Sequence, residues 1–295
     1  MKRLNIIMLI VMLISMGSIQ TKAHDFEVNG MYYNIVSISE LTCEVTYRGT
    51  SYYDARFTYS GNITVPEFVQ YNGRTLKVVG IGDSAFYGAS VTSISLPNSI
   101  EYLGDYALAY NSYSDFKVPS SLKRIGKGAF SNSVSKGVKR IYVSDLKSWC
   151  EIEFEDSSSS PFSKGERNEG TAFTFGLYTA EGELYLNNEL CEVITIPNET
   201  KKINNYAFAG VASIKKIVLP EGIESIGDFA FCNCVNLLSV KTPTTCKTIG
   251  KYAFNGCSQL SEVELLEGLA NIGECAFSYC LSLQSLIFPS TIDAI

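Results

Sequence analysis

One interval governs this chain. "IGDFAFCNC" begins at Ile226, "IGKYAFNGC" at Ile249 and "IGECAFSYC" at Ile272, each 23 residues after the last. "INNYAFAG" precedes them at Ile203, and an earlier group, "IGDSAF" at Ile81, "LGDYAL" at Leu103 and "IGKGAF" at Ile125, holds a spacing of 22. A second column keeps the same time: Pro197, Pro220, Pro243, Leu266 and Pro289, with Pro97 and Pro119 upstream. Short β-rich runs, "ITIP", "IVLP", "SVKTP", "VELL" and "LIFP", sit at that column. A unit of this length with one strand cannot bury an apolar face alone, so the units stack as coils around one continuous core.

The chemistry of one coil follows from its residues. In "KIVLP", Ile217 and Leu219 point one way and Val218 the other, as a strand requires. Stacked coils pair these strands in parallel, roughly 4.8 Å apart. Proline lacks an N–H and ends the ladder. The glycine after each isoleucine is expected to supply a tight bend with positive φ. Phe86, Phe130, Phe208, Phe231, Phe254 and Phe277 are expected to turn inward as an aromatic spine, with Leu108 the one substitution in that column.

The same register accounts for the cysteines. Cys234, Cys257 and Cys280 recur because the coil recurs, at a turn where a small, weakly polar side chain packs against backbone. A zinc site needs ligands converging on one point, whereas a ladder spreads them along a line. Cys232 and Cys275 lie off this register and remain open to ligation or to pairing. Nine cysteines in an exported chain would ordinarily imply disulfides. The buried row instead predicts that most are reduced thiols, with no metal and no cofactor.

Residues 1–23 read as a secretory signal peptide. Met1, Lys2 and Arg3 are followed by 13 uncharged, mostly apolar residues from Leu4 to Met16, with cleavage expected after Ala23. Cys43 is the first cysteine, so no lipoprotein anchor is expected at the cleavage site. Three of the 24 basic residues and none of the 30 acidic ones lie in this leader, which leaves 21 against 30 and a net charge near −9. That balance disfavours nucleic acid or an anionic membrane surface as a partner. No catalytic constellation emerges. His24 is the only histidine and stands at the expected mature N-terminus, so a two-histidine copper site lacks a member, and a Ser-His-Asp or Cys-His arrangement would need His24 to reach inward from that end. The chain is expected to be no enzyme.

Five segments result. After the leader, residues 24–60 carry no "IG..AF" unit. Their runs "MYYNIVSI", "LTCEVTY" and "ARFTYS" read as strands of a small antiparallel cap. Seven of the 18 tyrosines fall between residues 24 and 80, where cap-forming β propensity competes with an aromatic binding surface as the explanation. Residues 61–143 form a first repeat block, opened by the lead-in strand "GNITVPEFV". Residues 144–190 interrupt the array with three parts. "SDLKSWCEIEF" reads as a helical turn capped by Ser144 that buries Trp149. "EDSSSSPFSKGERNEGT" reads as a polar loop, and "GELYLNNEL" as a hairpin around Asn187 and Asn188. The acidic run from Glu151 to Asp156 lacks a calcium-loop spacing and reads as a solvated face. Residues 191–295 form the second block, whose last run, "SLIFP", is expected to leave an open edge, to be met either by further coils of a longer array or by another chain or a second copy.

The unit "IP…I..IG..AF..C..L..V.I" resembles the BspA-type leucine-rich repeats of bacterial surface and secreted proteins, from about residue 60 onward. The resemblance implies a β-rich solenoid with a parallel sheet on one face. It also implies adhesion to host proteins or to other cells, and it carries no catalytic residues. Solenoids of this kind work through their extended sheet face. Alternation along the strands turns outward Ser93, Ser95, Asp115, Thr195, Ser239, Glu262, Glu264, Ser285 and Ile287, together with a basic and partly aromatic central set. That central set, Lys117, Arg140, Tyr142, Lys216, Val218 and Lys241, is the expected contact patch, because arginine and tyrosine dominate interface hot spots. The expected ligand is an extracellular protein. A carbohydrate stacked on tyrosine and a purely structural spacer are the alternatives.

Overall fold

The computed structural model describes residues 24–131, 138–162 and 182–293. The leader, most of the serine-rich loop and Ile295 therefore lie outside the described residues.

Two ladders of parallel strands build the array. The longer strands pair as Gly61–Thr64 with Val91–Ser95, then Asp115–Lys117 with Arg140–Val143 and Glu183–Leu186. A further sheet follows, running Val193–Thr195, Lys216–Val218, Ser239–Lys241 and Glu262–Glu264. The two-residue strands at the "IG" position form the second ladder, with Ile203, Ile226, Ile249 and Ile272 in direct register. In the first block this ladder runs through Arg74–Ile81, Tyr102–Leu103, Arg124–Ile125 and Glu153–Phe154. Between the two ladders lies one apolar core that extends from Phe26 to Cys280.

The aromatic spine forms where the repeat is unbroken. Phe208, Phe231, Phe254 and Phe277 stack with centroids 5.1, 5.3 and 5.3 Å apart and planes within 7°. Those separations track the inter-strand distance of about 4.8 Å, so the backbone ladder sets the stacking. Leu108 breaks the column upstream. Phe86 packs instead on Tyr59, and Phe130 meets Phe116 edge to face.

The thiols of Cys234, Cys257 and Cys280 donate to the carbonyls of Phe208, Phe231 and Phe254 at 3.2, 3.2 and 3.3 Å. Asn111 occupies the same place in the first block, and its amide donates to the Phe86 carbonyl at 2.7 Å. Each of these side chains adds a second donor to a carbonyl of the preceding coil that already accepts a backbone N–H, as the Phe208 carbonyl does from Val211 and the Phe231 carbonyl from Cys234. Burial holds the Cys234 and Cys257 thiols well above their ordinary range and pushes Cys280 up to about 11. They are donors at neutral pH and poor nucleophiles. Cys232 is also buried, while Cys275 is exposed.

The glycines act otherwise than expected. Gly104, Gly126, Gly227, Gly250 and Gly273 do not have positive φ. A Cβ on any of them would lie 2.4–2.7 Å from a backbone nitrogen of the preceding coil. Glycine is required there for close approach. The left-handed residue comes two positions later, at Ser84, Tyr106, Gly128, Tyr206, Phe229, Tyr252 and Cys275. The N–H of Tyr206, of Phe229 and of Tyr252 then reaches the carbonyl of Asp228, Lys251 and Glu274 in the following coil. That hydrogen bond offsets the cost of the conformation. Asn204 stands where glycine is expected, because its neighbour is the insert. Its side chain donates to the Glu151 and Ile152 carbonyls at the end of a helix.

The cap and the insert differ in detail from the sequence expectation. Phe26–Val28, Met31–Ser37 and Thr42–Thr46 form an antiparallel meander. Its third strand then pairs in parallel with Arg74–Ile81, so the cap supplies the first rung of the short-strand ladder. "ARFTYS" is no strand. Tyr52–Phe57 is a 3-10 turn, closed by a reciprocal capping box between Ser51 and Asp54. The insert's helix, Leu146–Glu151, is capped by Asp145 and not by Ser144, since Asp145 accepts from the Lys147 and Ser148 amides. Trp149 is buried beneath it. Ser158, Ser159, Ser160 and Phe162 are also buried, so the start of the serine-rich stretch packs as structure. Asn187 and Asn188, both left-handed, turn the hairpin as expected. The "SLIFP" run is no strand, and Glu262–Glu264 is the edge of its sheet.

Candidate binding face

The six expected contact residues divide between two sheets. Lys117, Arg140 and Tyr142 lie on the sheet of the first block and insert. Lys216, Val218 and Lys241 lie on the next one. The strand Glu189–Leu190 pairs antiparallel against Glu183–Leu186 and separates the two sets.

The first set makes a connected cluster. Arg140 grips Asp115 with both ends of its guanidinium, Nε to Oδ1 at 2.6 Å and Nη2 to Oδ2 at 2.9 Å. The Tyr142 hydroxyl donates to the same carboxylate at 3.2 Å. The Arg140 charge is therefore answered within the face, and Asp115 holds its guanidinium above the ordinary range. Lys117 lies in register beside Tyr142, exposed, and without an ion-pair partner among the described residues.

Tyr185 completes the cluster. It stands in register with Tyr142, and the two rings stack at 4.8 Å with planes 26° apart. Its hydroxyl donates to Glu183 at 3.0 Å, and this bond raises the phenol above its ordinary value. The Tyr142 phenol is raised as well, by loss of solvent and then by Asp115. Both rings are neutral hydrogen-bonding groups at physiological pH. Tyr185 and Glu183 escape the periodic reading because the insert separates their strand from its neighbour, Arg140–Val143. The alternation in "GELYL" was the signal that could have placed Tyr185 outward.

The second set is looser. Lys241 pairs with Glu264 at 2.8 Å. Lys216 is exposed and has no ion-pair partner among the described residues, and Val218 is 40% exposed beside it. Such surface pairs contribute little stability, so this sheet offers a mixed, solvated surface. His24 sits far along the chain from either set, with its ring edge-on to Tyr32 at 4.7 Å.

A family model described as BspA type leucine rich repeat region matches residues 30–160 and 182–295, in six copies. The chain is similar to a leucine-rich repeat protein of T. pallidum, at 20% identity and TM-score 0.43, over 88% of this chain and 91% of that one. A leucine-rich repeat protein of Eubacterium ventriosum is similar at 16% identity and TM-score 0.41, over 90% of each chain. One from Bacteroides ovatus is similar at 18% identity and TM-score 0.31, over 92% of this chain and 99% of that one. No curated protein matches the chain. Strand ladders, coil spacing and family model together place the chain in one group: it belongs to the BspA-type leucine-rich repeat family.

Proposed function

We propose that this chain is a non-enzymatic, exported binding protein that engages a protein of a host or neighbouring cell through its longer-strand face. The stacked Tyr142–Tyr185 pair carries the reading. Two large side chains already fixed by stacking and by Asp115 and Glu183 lose little entropy on binding, and unpaired Lys117 lies beside them. The leader-like residues 1–23 support export.

A panel of extracellular-matrix proteins, presented to the intact protein, tests the proposal. A retained ligand should lose more than about tenfold in affinity with Tyr142→Ala or Tyr185→Ala, the scale of a central aromatic anchor. Lys117→Glu should slow its association. Arg140 and Lys241 are poor probes, because reversing either sets two like charges against each other at Asp115 or Glu264. Binding indifferent to both tyrosines contradicts the proposal. The same tyrosine pair also suits a sugar, so glycan binding lost in Tyr142→Ala, with no protein retained, replaces the protein ligand by a carbohydrate. No ligand in either screen leaves a spacer.

A further inference from the structure

A second aromatic surface lies away from the sheet face, where the cap's 3-10 turn meets the first "IG..AF" coil. Tyr52 and Tyr53 are 42% and 53% exposed, with ring centroids 4.1 Å apart. Tyr52 meets Tyr87 edge to face at 5.4 Å, and Tyr87 meets Tyr110 at 4.8 Å. None of these four residues is among the buried core.

The Arg56 guanidinium lies between two of these rings, 5.4 Å from the centroid of Tyr53 and 5.4 Å from that of Tyr87. Its stem crosses Gly88, where a Cβ would come within 3.1 Å of Cγ and 3.3 Å of Nε. Glycine thus makes the bed in which the arginine lies. Asp54, on the same turn, is taken by the amides of Thr50 and Ser51. Arg56 is exposed and no carboxylate is paired with it among the described residues. A cation held between aromatic rings and left without a carboxylate partner among the described residues is ready to receive one.

We infer that this nest is a binding site for a carboxylate-bearing sugar, the carboxylate meeting Arg56 and the pyranose ring lying on the outer face of the Tyr52–Tyr53 stack. Charge decides the class. The chain is acidic, at net −6, so a ligand anion needs a local cation with donors in a planar fork, and Arg56 supplies one. Shape decides between anions. Exposed phenol rings suit the C–H face of a sugar, and their hydroxyls suit its hydroxyl groups. An acidic peptide needs several cations in a row, and Arg56 is the only basic residue of its turn.

A glycan array tests this, carrying sialylated and uronate-containing glycans beside their uncharged parents, with hexaglutamate as the peptide control. The intact protein should retain carboxylated glycans at least tenfold over the uncharged parents. Arg56→Gln and Tyr53→Ala should each abolish that retention. Tyr142→Ala should leave it unchanged, which separates this site from the sheet face. Arg56 is exposed, so its variant keeps the fold, and an unchanged thermal midpoint verifies that. Three results overturn the inference: no carboxylated glycan retained, equal retention of charged and uncharged forms, or retention that survives Arg56→Gln. Retention of hexaglutamate alone assigns the nest to acidic peptides and overturns it equally.

Discussion

At the scale of single residues, the array is limited by how closely one coil approaches the next. Gly250 shows this most sharply. An added Cβ meets the Asp228 nitrogen at 2.5 Å and the Gly227 carbonyl carbon at 2.6 Å, and neither is a flexible side-chain end. Gly250→Ala should therefore destabilise the protein by about 3 kcal/mol, at the upper end of ordinary overpacking. Gly30→Ala, with φ +77° and nothing within 4 Å of the added atom, should cost only about 1 kcal/mol of backbone strain. Denaturant unfolding of the two variants checks the difference. The sequence pattern showed that glycine recurs but misstated why, since a spacing carries no information about the coil beneath. The left-handed tyrosines at 106, 206 and 252 were invisible for a related reason. Propensity favours glycine there, and the inter-coil hydrogen bond that overrides propensity exists only in the stack.

At the scale of elements, the recurring rows behave as units. The cysteine row is one, and Cys43, Cys232 and Cys246, buried outside the row, behave alike. Burial raises Cys280 to about 11, Cys246 to about 11, and Cys43 and Cys232 to about 12, with Cys234 and Cys257 raised strongly in the same direction. A thiol in the unfolded chain ionises near 8.5, so above that pH the unfolded state holds fewer protons than the folded one. Stability is fully present below about pH 8.5 and falls as pH rises toward the folded values, by about 1.4 kcal/mol per pH unit per thiol. The thermal midpoint should drop steeply between pH 8.5 and 11. Cys257→Asn should flatten part of that drop, because Asn111 makes the equivalent bond in the first block. A midpoint flat across this window contradicts the buried row. The row, the spine and the hairpin at Asn187 and Asn188 were legible from spacing and turn chemistry. The 3-10 turn at Tyr52–Phe57 was not. Its aromatic composition reads as strand, and only the Ser51–Asp54 capping box, a local hydrogen-bonding pattern, decides otherwise.

At the scale of the molecule, regularity and specificity separate. Where coils repeat without interruption, side chains answer one another: Phe on Phe, Cys on carbonyl, Lys241 on Glu264. Both candidate sites lie where the repeat is broken. The Tyr142–Tyr185 pair joins the last coil of the first block to the insert, and the Arg56 nest joins the cap to the first coil. Period alone located the first of these in part, through Tyr142 and Lys117, and missed Tyr185 because the insert spaces it irregularly. The central claim is that one coil, copied along the chain, accounts for the cysteines as inward-facing scaffold. Thiol titration of the intact protein without reductant tests it most directly. The account predicts one rapidly reacting thiol in the native state, Cys275, and nine after unfolding. Several fast thiols in the native protein, or fewer than nine once it is unfolded, would contradict it.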